Sequence, residues 1–279
     1  MFKKFVLSFL SVLLVVCTLS TCAFGVIAAD TSTKKYDIVF VLETSNSMSK
    51  NWQTIIKTIG KTVKSLDEQK IDYRVGIVLF KTNRINTIDY KYKSYGYMKG
   101  YDDVMKYLDG VTLHKSDFTD TCLFSALCDI PNTLNPRHDA VRGVFVIGKT
   151  YCANPETNTG VLYTAVQNKL SLDSKNPANS AYIFYTYNLG DDKNAENYQA
   201  LAKDSRGNYN RIDNNSTGFE SLLSTAFSKD IKSFLSSTPV VQQETFIEKL
   251  QKALEKMTDT TLKPIFKMFI TLYKMMFKK

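Results

Sequence analysis

Residues 143–150 read GVFVIGKT, a string that fits the pattern G-x-x-x-x-G-K-[ST] of loops that bind nucleotide phosphates. Such a loop needs flexible residues between its two glycines and a helix that begins at the lysine. Here residues 144–147 are bulky, apolar and typical of a buried strand. Asn154 and Pro155 indicate a loop after Thr150 rather than a helix. The match is therefore accidental, and we expect no nucleotide binding.

Catalytic side chains in a recognisable arrangement are also missing from the sequence. His114 and His138 are the only histidines, and neither has the spacing of a metal ligand or a nearby nucleophile. The carboxylates show no pairing that is typical of acid–base catalysis. We therefore predict that this protein is not an enzyme.

The first 29 residues have the layout of a secretory signal peptide, with Lys3 and Lys4, an apolar run, and small residues before Asp30. Polar residues interrupt the apolar core, which makes it shorter than the roughly 20 residues that a membrane span prefers. We predict that residues 1–29 are cleaved and that the protein is secreted, with a membrane helix as the alternative. The segment contains two lysines and no acidic residue, so its removal lowers the formal charge from +9 to +7.

Beyond residue 34, near-continuous apolar runs alternate with helical patterns. The strand-like runs are 36–42, 73–80, 141–147 and 181–187, with shorter strands predicted at 87–92 and 209–212. This alternation predicts an α/β fold over residues 34–237, with a doubly wound, mostly parallel central sheet and helices on both faces. Ligand sites in such sheets lie at the carboxyl ends of the strands.

Pro239 ends this pattern, and residues 240–279 are predicted to form a separate, amphipathic helical appendage. Four lysines of its second helix fall within about 60 degrees of one another on a helical projection: Lys263, Lys267, Lys274 and Lys278. The remaining arc is apolar and includes Phe266 and Phe269, and residues 262–279 contain no acidic side chain. This pattern is typical of a helix that lies on a membrane surface or in a partner's groove. Packing of the apolar face on the domain itself is the other interpretation.

The apolar run that leads into Glu43, Ser45 and Ser47 resembles the opening of von Willebrand factor type A (vWA) domains, where a strand runs into D-x-S-x-S. The matching segments lie in the order of the family, at residues 37–48, 73–80, 118–127, 142–147 and 181–187. The resemblance spans residues 34–237. It implies the sandwiched sheet predicted above and, as the usual work of the family, adhesion through a divalent cation that coordinates a ligand carboxylate.

The same resemblance assigns the positions of an ion site. The family supplies an aspartate and two serines from the first loop, a threonine from the second loop and an aspartate after the fourth strand. The matching residues here are Glu43, Ser45, Ser47, Thr119 and, for the last aspartate, Lys149. Glu43 is one methylene longer than aspartate, and the ammonium of Lys149 cannot bind a cation. The resemblance therefore implies a degenerate metal site.

Three interpretations of this degenerate site are open. In the first, Lys149 reaches Glu43, and its charge replaces the ion in a metal-free polar network. In the second, Glu43 still holds Mg²⁺ weakly with the loop hydroxyls and water, while Asp117 or Asp120 substitutes for the lost acid. In the third, the two serines simply cap the following helix. We expect no cofactor other than weakly bound Mg²⁺.

Two further features concern covalent modification. Cys122 follows the second loop and Cys152 follows the fourth strand, so both are expected at the same edge of the sheet. Two predictions are open: a Cys122–Cys152 disulfide, or three buried thiols. Asn214 and Asn215 begin overlapping sequons, N-N-S and N-S-T, that accept a glycan in secreted eukaryotic proteins.

We therefore predict a secreted, non-enzymatic binding protein of the adhesion type. The loops around Glu43, Thr119 and Lys149 are the expected contact surface for an extracellular protein or matrix ligand. The alternative is an effector that binds a membrane surface through residues 262–279. Nucleic acid is not an expected partner, because a secreted chain without a compact basic face does not suit it.

Overall fold

The computed structural model describes residues 34–81, 92–115, 121–156, 159–191 and 195–239. The predicted signal peptide, residues 1–29, lies outside the described residues. The same holds for the appendage at 240–279 and for the side chains assigned to membrane contact: Lys263, Phe266, Phe269, Lys267, Lys274 and Lys278.

Six strands of the described residues form one sheet. They are β1 (Lys35–Glu43), β2 (Asp72–Phe80), β3 (Tyr92–Met98), β4 (Ala140–Gly148), β5 (Ile183–Asn188) and β6 (Tyr209–Arg211). Their order across the sheet is β3-β2-β1-β4-β5-β6. Every neighbouring pair is parallel except β2 and β3, which are antiparallel. The predicted mostly parallel sheet is confirmed.

Helices cover both faces of this sheet. They are α1 (Trp52–Glu68), α2 (Tyr101–Asp109), α3 (Leu123–Leu134), α4 (Tyr163–Lys169), α5 (Glu196–Lys203) and α6 (Phe219–Ser236). The first, second and sixth pack on one face, and the third, fourth and fifth pack on the other. No helix within the described ranges combines the length and the apolar character needed to cross a membrane.

The central strands are apolar at successive positions because both faces of the sheet are covered. Side chains alternate between the two faces of a strand, so Ile38 and Phe40 of β1 enter one core while Val39 and Val41 enter the other. Phe145 of β4 lies at the centre of the first core, where its ring packs on four other aromatic rings. This packing fixes the strand ends that carry the candidate site.

Of the edge strand predicted at residues 87–92, only Tyr92 lies within the described residues, and it is the first residue of β3. The described strand β3 spans Tyr92–Met98, and residues 82–91 lie outside the described residues. Its sequence, YKSYGYM, lacks a continuous apolar run. The reason is that an edge strand pairs on one side only and is less completely covered than a central strand.

Candidate functional site

Glu43 is the last residue of β1, and its side chain is fully buried at the carboxyl edge of the sheet. Residues 44–51 then turn through a short 3-10 helix, Asn46–Met48, into α1. The neighbouring strand β4 ends at Gly148, so the loop that follows it begins beside Glu43. We call residues 43–51 and 148–156 the rim.

Four hydrogen bonds converge on the Glu43 carboxylate. Its Oε1 accepts from the hydroxyls of Ser45 and Thr150, each at 2.5 Å. Its Oε2 accepts from the main-chain N–H groups of Lys149 at 2.6 Å and Thr150 at 2.9 Å. Ser47 extends the network, since its Oγ lies 2.7 Å from that of Ser45. The carboxylate thus ties the end of β1 to the loop after β4.

These four hydrogen bonds use the full accepting capacity of the Glu43 carboxylate. An ionised carboxylate has about four lone-pair positions, and four donors occupy them here. Three of these bonds, from Ser45 and Thr150, are buried and therefore shielded from water, while the bond from the Lys149 N–H is part-buried. With all four positions occupied, the Glu43 carboxylate is arranged to connect the loops after β1 and β4, and it is not arranged for proton transfer or nucleophilic attack.

Lys149 lies beside Glu43, and its main-chain N–H donates to the Glu43 carboxylate. Any residue other than proline at this position would supply the same N–H donor. The predicted replacement of an ion by the charge of the Lys149 side chain stays a prediction.

Three residues at the site, Gly148, Thr150 and Tyr198, were not among the residues that the sequence predicted. Tyr198 of α5 is fully buried, and among the described residues its hydroxyl has no hydrogen-bond partner. A Cβ atom at Gly148 would collide with this hydroxyl and would lie 2.9 Å from Glu43 Oε2. Burial raises the pKa of Tyr198, and the charge of Glu43 raises it further. Gly148 and Thr150 lie in the GKT string, but no sequence signal connects Tyr198 to it.

The second loop is only partly described. Thr119 and Asp120, together with Asp117, lie outside the described residues. The first described residue after this loop is Thr121, whose N–H donates to the Tyr151 carbonyl at 2.9 Å. This bond brings the chain after the second loop to the rim, where the sequence placed it.

Behind the rim, Cys122 and Cys152 are buried and Cys128 is half-buried, and none of these three described cysteines forms a disulfide in this structure. The predicted Cys122–Cys152 disulfide is therefore not formed here. Burial raises the pKa of Cys152 well above its ordinary value, and the nearby Glu156 raises it further. Burial also raises the pKa of Cys128, to about 11. Such thiols are poor nucleophiles at neutral pH.

Glu156 is a second buried carboxylate, and it holds the start of α3. Its two oxygens accept from the N–H and the hydroxyl of Ser125 at 2.9 and 2.5 Å, and from the hydroxyl of Thr159 at 2.8 Å. The N-terminus of a helix favours a negative charge. Burial nevertheless dominates and raises the pKa of Glu156, while the hydrogen bonds from Ser125 and Thr159 offset part of the rise.

We expect this raised pKa to make stability depend on pH. The folded protein holds the Glu156 proton more tightly than the unfolded chain does. This contribution to stability is therefore fully present below the ordinary pKa of glutamate and is lost as the pH rises through the raised value. Carboxyl ¹³C NMR would measure the titration, and urea unfolding at several pH values would measure the stability. Glu156→Gln should remove this dependence, with the exposed Glu196→Gln as the control, and titration of Glu156 at or below its ordinary pKa would contradict the prediction.

The two sequon asparagines lie in a turn beside the first loop. Asn214 is buried, and its carbonyl accepts a hydrogen bond from Asn51 at 3.0 Å. Asn215 is exposed, and its Oδ1 accepts from Lys50 at 3.2 Å. Glycosylation at either residue stays a prediction, and Asn215 is the more accessible of the two.

Comparison with known proteins agrees with this architecture. The sequence model of the family described as von Willebrand factor type A domain matches residues 37–225. No curated protein sequence matches this one significantly.

Similar solved structures align with this chain at low sequence identity. The pilus adhesin SpaC from Lactobacillus rhamnosus GG aligns with a TM-score of 0.51 and 13% identity, over 73% of this chain and 30% of that one. Proximal thread matrix protein 1 from the mussel byssus aligns with a TM-score of 0.51 and 13% identity, over 74% of this chain and 48% of that one. The conserved hypothetical protein BatB from Bacteroides thetaiotaomicron aligns with a TM-score of 0.47 and 18% identity, over 71% of this chain and 99% of that one.

This chain thus spans less than half of the pilus adhesin and of the thread matrix protein, and identities this low concern the fold alone. The family model, in contrast, matches well over half of the sequence and begins within β1. The sheet order and the helices on both faces agree with it. The chain belongs to the von Willebrand factor type A domain family.

Proposed function

We propose that this protein is a secreted, non-enzymatic binding protein whose rim contacts an extracellular protein or matrix ligand. The observation that carries the proposal is the network around Glu43, which fixes the loops after β1 and β4 against each other at the edge where α/β sheets bind ligands. A binding surface that is rigid before contact loses less entropy when its ligand arrives. The related pilus adhesin and thread matrix protein are consistent with binding as the role.

The exposed part of the rim has the composition of a protein-binding surface. Its exposed residues are Asn46, Ser49, Lys50, Tyr151, Asn154 and Pro155. Amides and hydroxyls supply adaptable hydrogen bonds, while tyrosine supplies a large contact area with few rotatable bonds. We therefore expect Tyr151 to contribute most to the affinity for a ligand.

Tyr151→Ala tests this expectation. Tyrosine at the centre of an interface is a frequent source of binding energy, so we expect affinity to fall by about 10-fold or more. The measurement is surface plasmon resonance of the purified protein against immobilised matrix proteins, including collagens, fibronectin and laminin. Tyr101→Ala is the matched control, because Tyr101 is 39% exposed and Tyr151 is 36% exposed.

Tyr101 lies at the opposite edge of the sheet, next to the amino end of β2, where the Tyr73 hydroxyl accepts from Gly100. Equal losses of affinity for Tyr151→Ala and Tyr101→Ala, or no binding to any of these matrix proteins, would contradict the proposal that the rim is the binding surface. A protein that ends at residue 239 should bind as well as the full chain. If binding follows residues 262–279 and anionic vesicles instead, the membrane-surface alternative is correct.

A further inference from the structure

Family members with an intact ion site hold a divalent cation at the edge where Glu43 lies, and the residues present here do not fit one. Magnesium needs oxygen atoms with free lone pairs in near-octahedral geometry. Both oxygens of Glu43 already accept two hydrogen bonds each. A cation could bind this carboxylate only by displacing these donors, three of which make buried hydrogen bonds.

The donors to Glu43 Oε2 carry partial positive charge and would repel a cation at this position. They are main-chain N–H groups of Lys149 and Thr150, and such groups in succession form a site that attracts negative charge. The residue at the family's second aspartate position, Lys149, has no lone pair to offer. The rim is therefore built to receive a carboxylate from within the chain.

The length of the glutamate explains how it reaches these donors. Leu42 of β1 pairs with Ile147 of β4, and neighbouring strands are about 4.8 Å apart. The Glu43 side chain must cross this spacing and then extend past Gly148 to the amides of Lys149 and Thr150. An aspartate, one methylene shorter, would stop short of them. The extra methylene, which spoils the family's ion geometry, makes this connection.

We infer that the Glu43 carboxylate takes the place of the family's divalent cation, and that its hydrogen bonds hold the two rim loops together. The inference concerns the assembly of the rim and does not depend on which ligand the rim binds. Its test uses metal ions and stability as readouts, so it can fail while the proposed function stands, and the reverse also holds.

Two substitutions at Glu43 separate the interpretations. Glu43→Gln keeps the length: its oxygen can accept from both N–H groups, and its NH₂ can donate to the hydroxyls of Ser45 and Thr150. Glu43→Asp keeps the charge and loses the reach, which leaves two buried N–H groups without their acceptor. In EDTA we expect the melting temperature to fall by about 3 °C for Glu43→Gln and by about 10 °C for Glu43→Asp.

Differential scanning fluorimetry in EDTA and then in millimolar Mg²⁺ or Mn²⁺ measures these shifts. We expect neither ion to change the melting temperature of the unaltered protein. In the presence of Mg²⁺ or Mn²⁺, a metal-ligand role for residue 43 predicts that Glu43→Asp is more stable than Glu43→Gln, because aspartate is the family's own ligand and an amide is a poor one. A stabilisation by Mg²⁺ that Glu43→Gln abolishes, or an aspartate variant more stable than the glutamine variant, would overturn the inference.

Thr150→Val provides the second test if Glu43→Asp does not fold. It removes one hydroxyl donor to Glu43 and leaves the Thr150 N–H in place, at a position that is not an ion ligand in the family. We expect a fall of about 3 °C in EDTA that is not additive with Glu43→Gln, because both changes act on the same hydrogen bond. Strict additivity would show that the hydroxyl and the carboxylate act independently and would overturn the inference.

Discussion

Asp37→Ala is expected to lower the free energy of unfolding by about 3–5 kcal/mol, because it removes the shared partner of two partly buried arginines. Asp37 is fully buried near the amino end of β1, opposite the rim. Arg74 donates to both of its oxygens, at 3.0 and 2.7 Å. Arg137 donates from its side chain at 2.9 Å and from its main chain at 2.6 Å.

Alanine at position 37 would leave both guanidinium groups without this carboxylate, although Arg137 also pairs with Asp72 at 2.8 Å. Urea unfolding monitored by circular dichroism would measure the loss. The control is Asp139→Ala, which breaks an exposed ion pair with Lys35 and should cost no more than about 1 kcal/mol. If both substitutions lowered the free energy of unfolding by the same amount, the burial of Asp37 would not determine how much this residue contributes to stability.

Gly190→Ala is expected to destabilise the domain by about 3 kcal/mol and to weaken binding through the rim. Gly190 follows β5 and passes directly against Lys149. A Cβ atom there would collide with the Lys149 carbonyl oxygen and would lie 3.1 Å from its carbonyl carbon. Main chain cannot move aside as a flexible side chain can, so Lys149 would shift and its N–H would move away from Glu43.

The matched control is Gly96→Ala in β3, since a Cβ atom at Gly96 would have nothing within 4 Å. We expect no loss of stability there. Thermal unfolding of both variants gives the stability, and the Tyr151 binding assay reports on the rim. Stability unchanged by Gly190→Ala would show that the loop after β5 is free to move away from Lys149.

Much of the fold could be predicted from the sequence, for a physical reason. Strands β1, β2, β4 and β5 are covered on both faces, so each must be apolar at nearly every position, and such runs stand out. Their alternation with helical patterns fixed the doubly wound class. It also placed Glu43 and Ser45 at the carboxyl edge, because a parallel sheet brings all its strand ends to the same side.

Only the tertiary structure decided which groups bind Glu43. Thr150 is 107 residues away in sequence, and two of the four donors are main-chain N–H groups. Every residue except proline carries such a group, so its presence gives no sequence signal. Whether such an N–H group meets the Glu43 carboxylate depends on the length of the glutamate side chain and on the register of β1 against β4. The packing of the whole sheet sets that register.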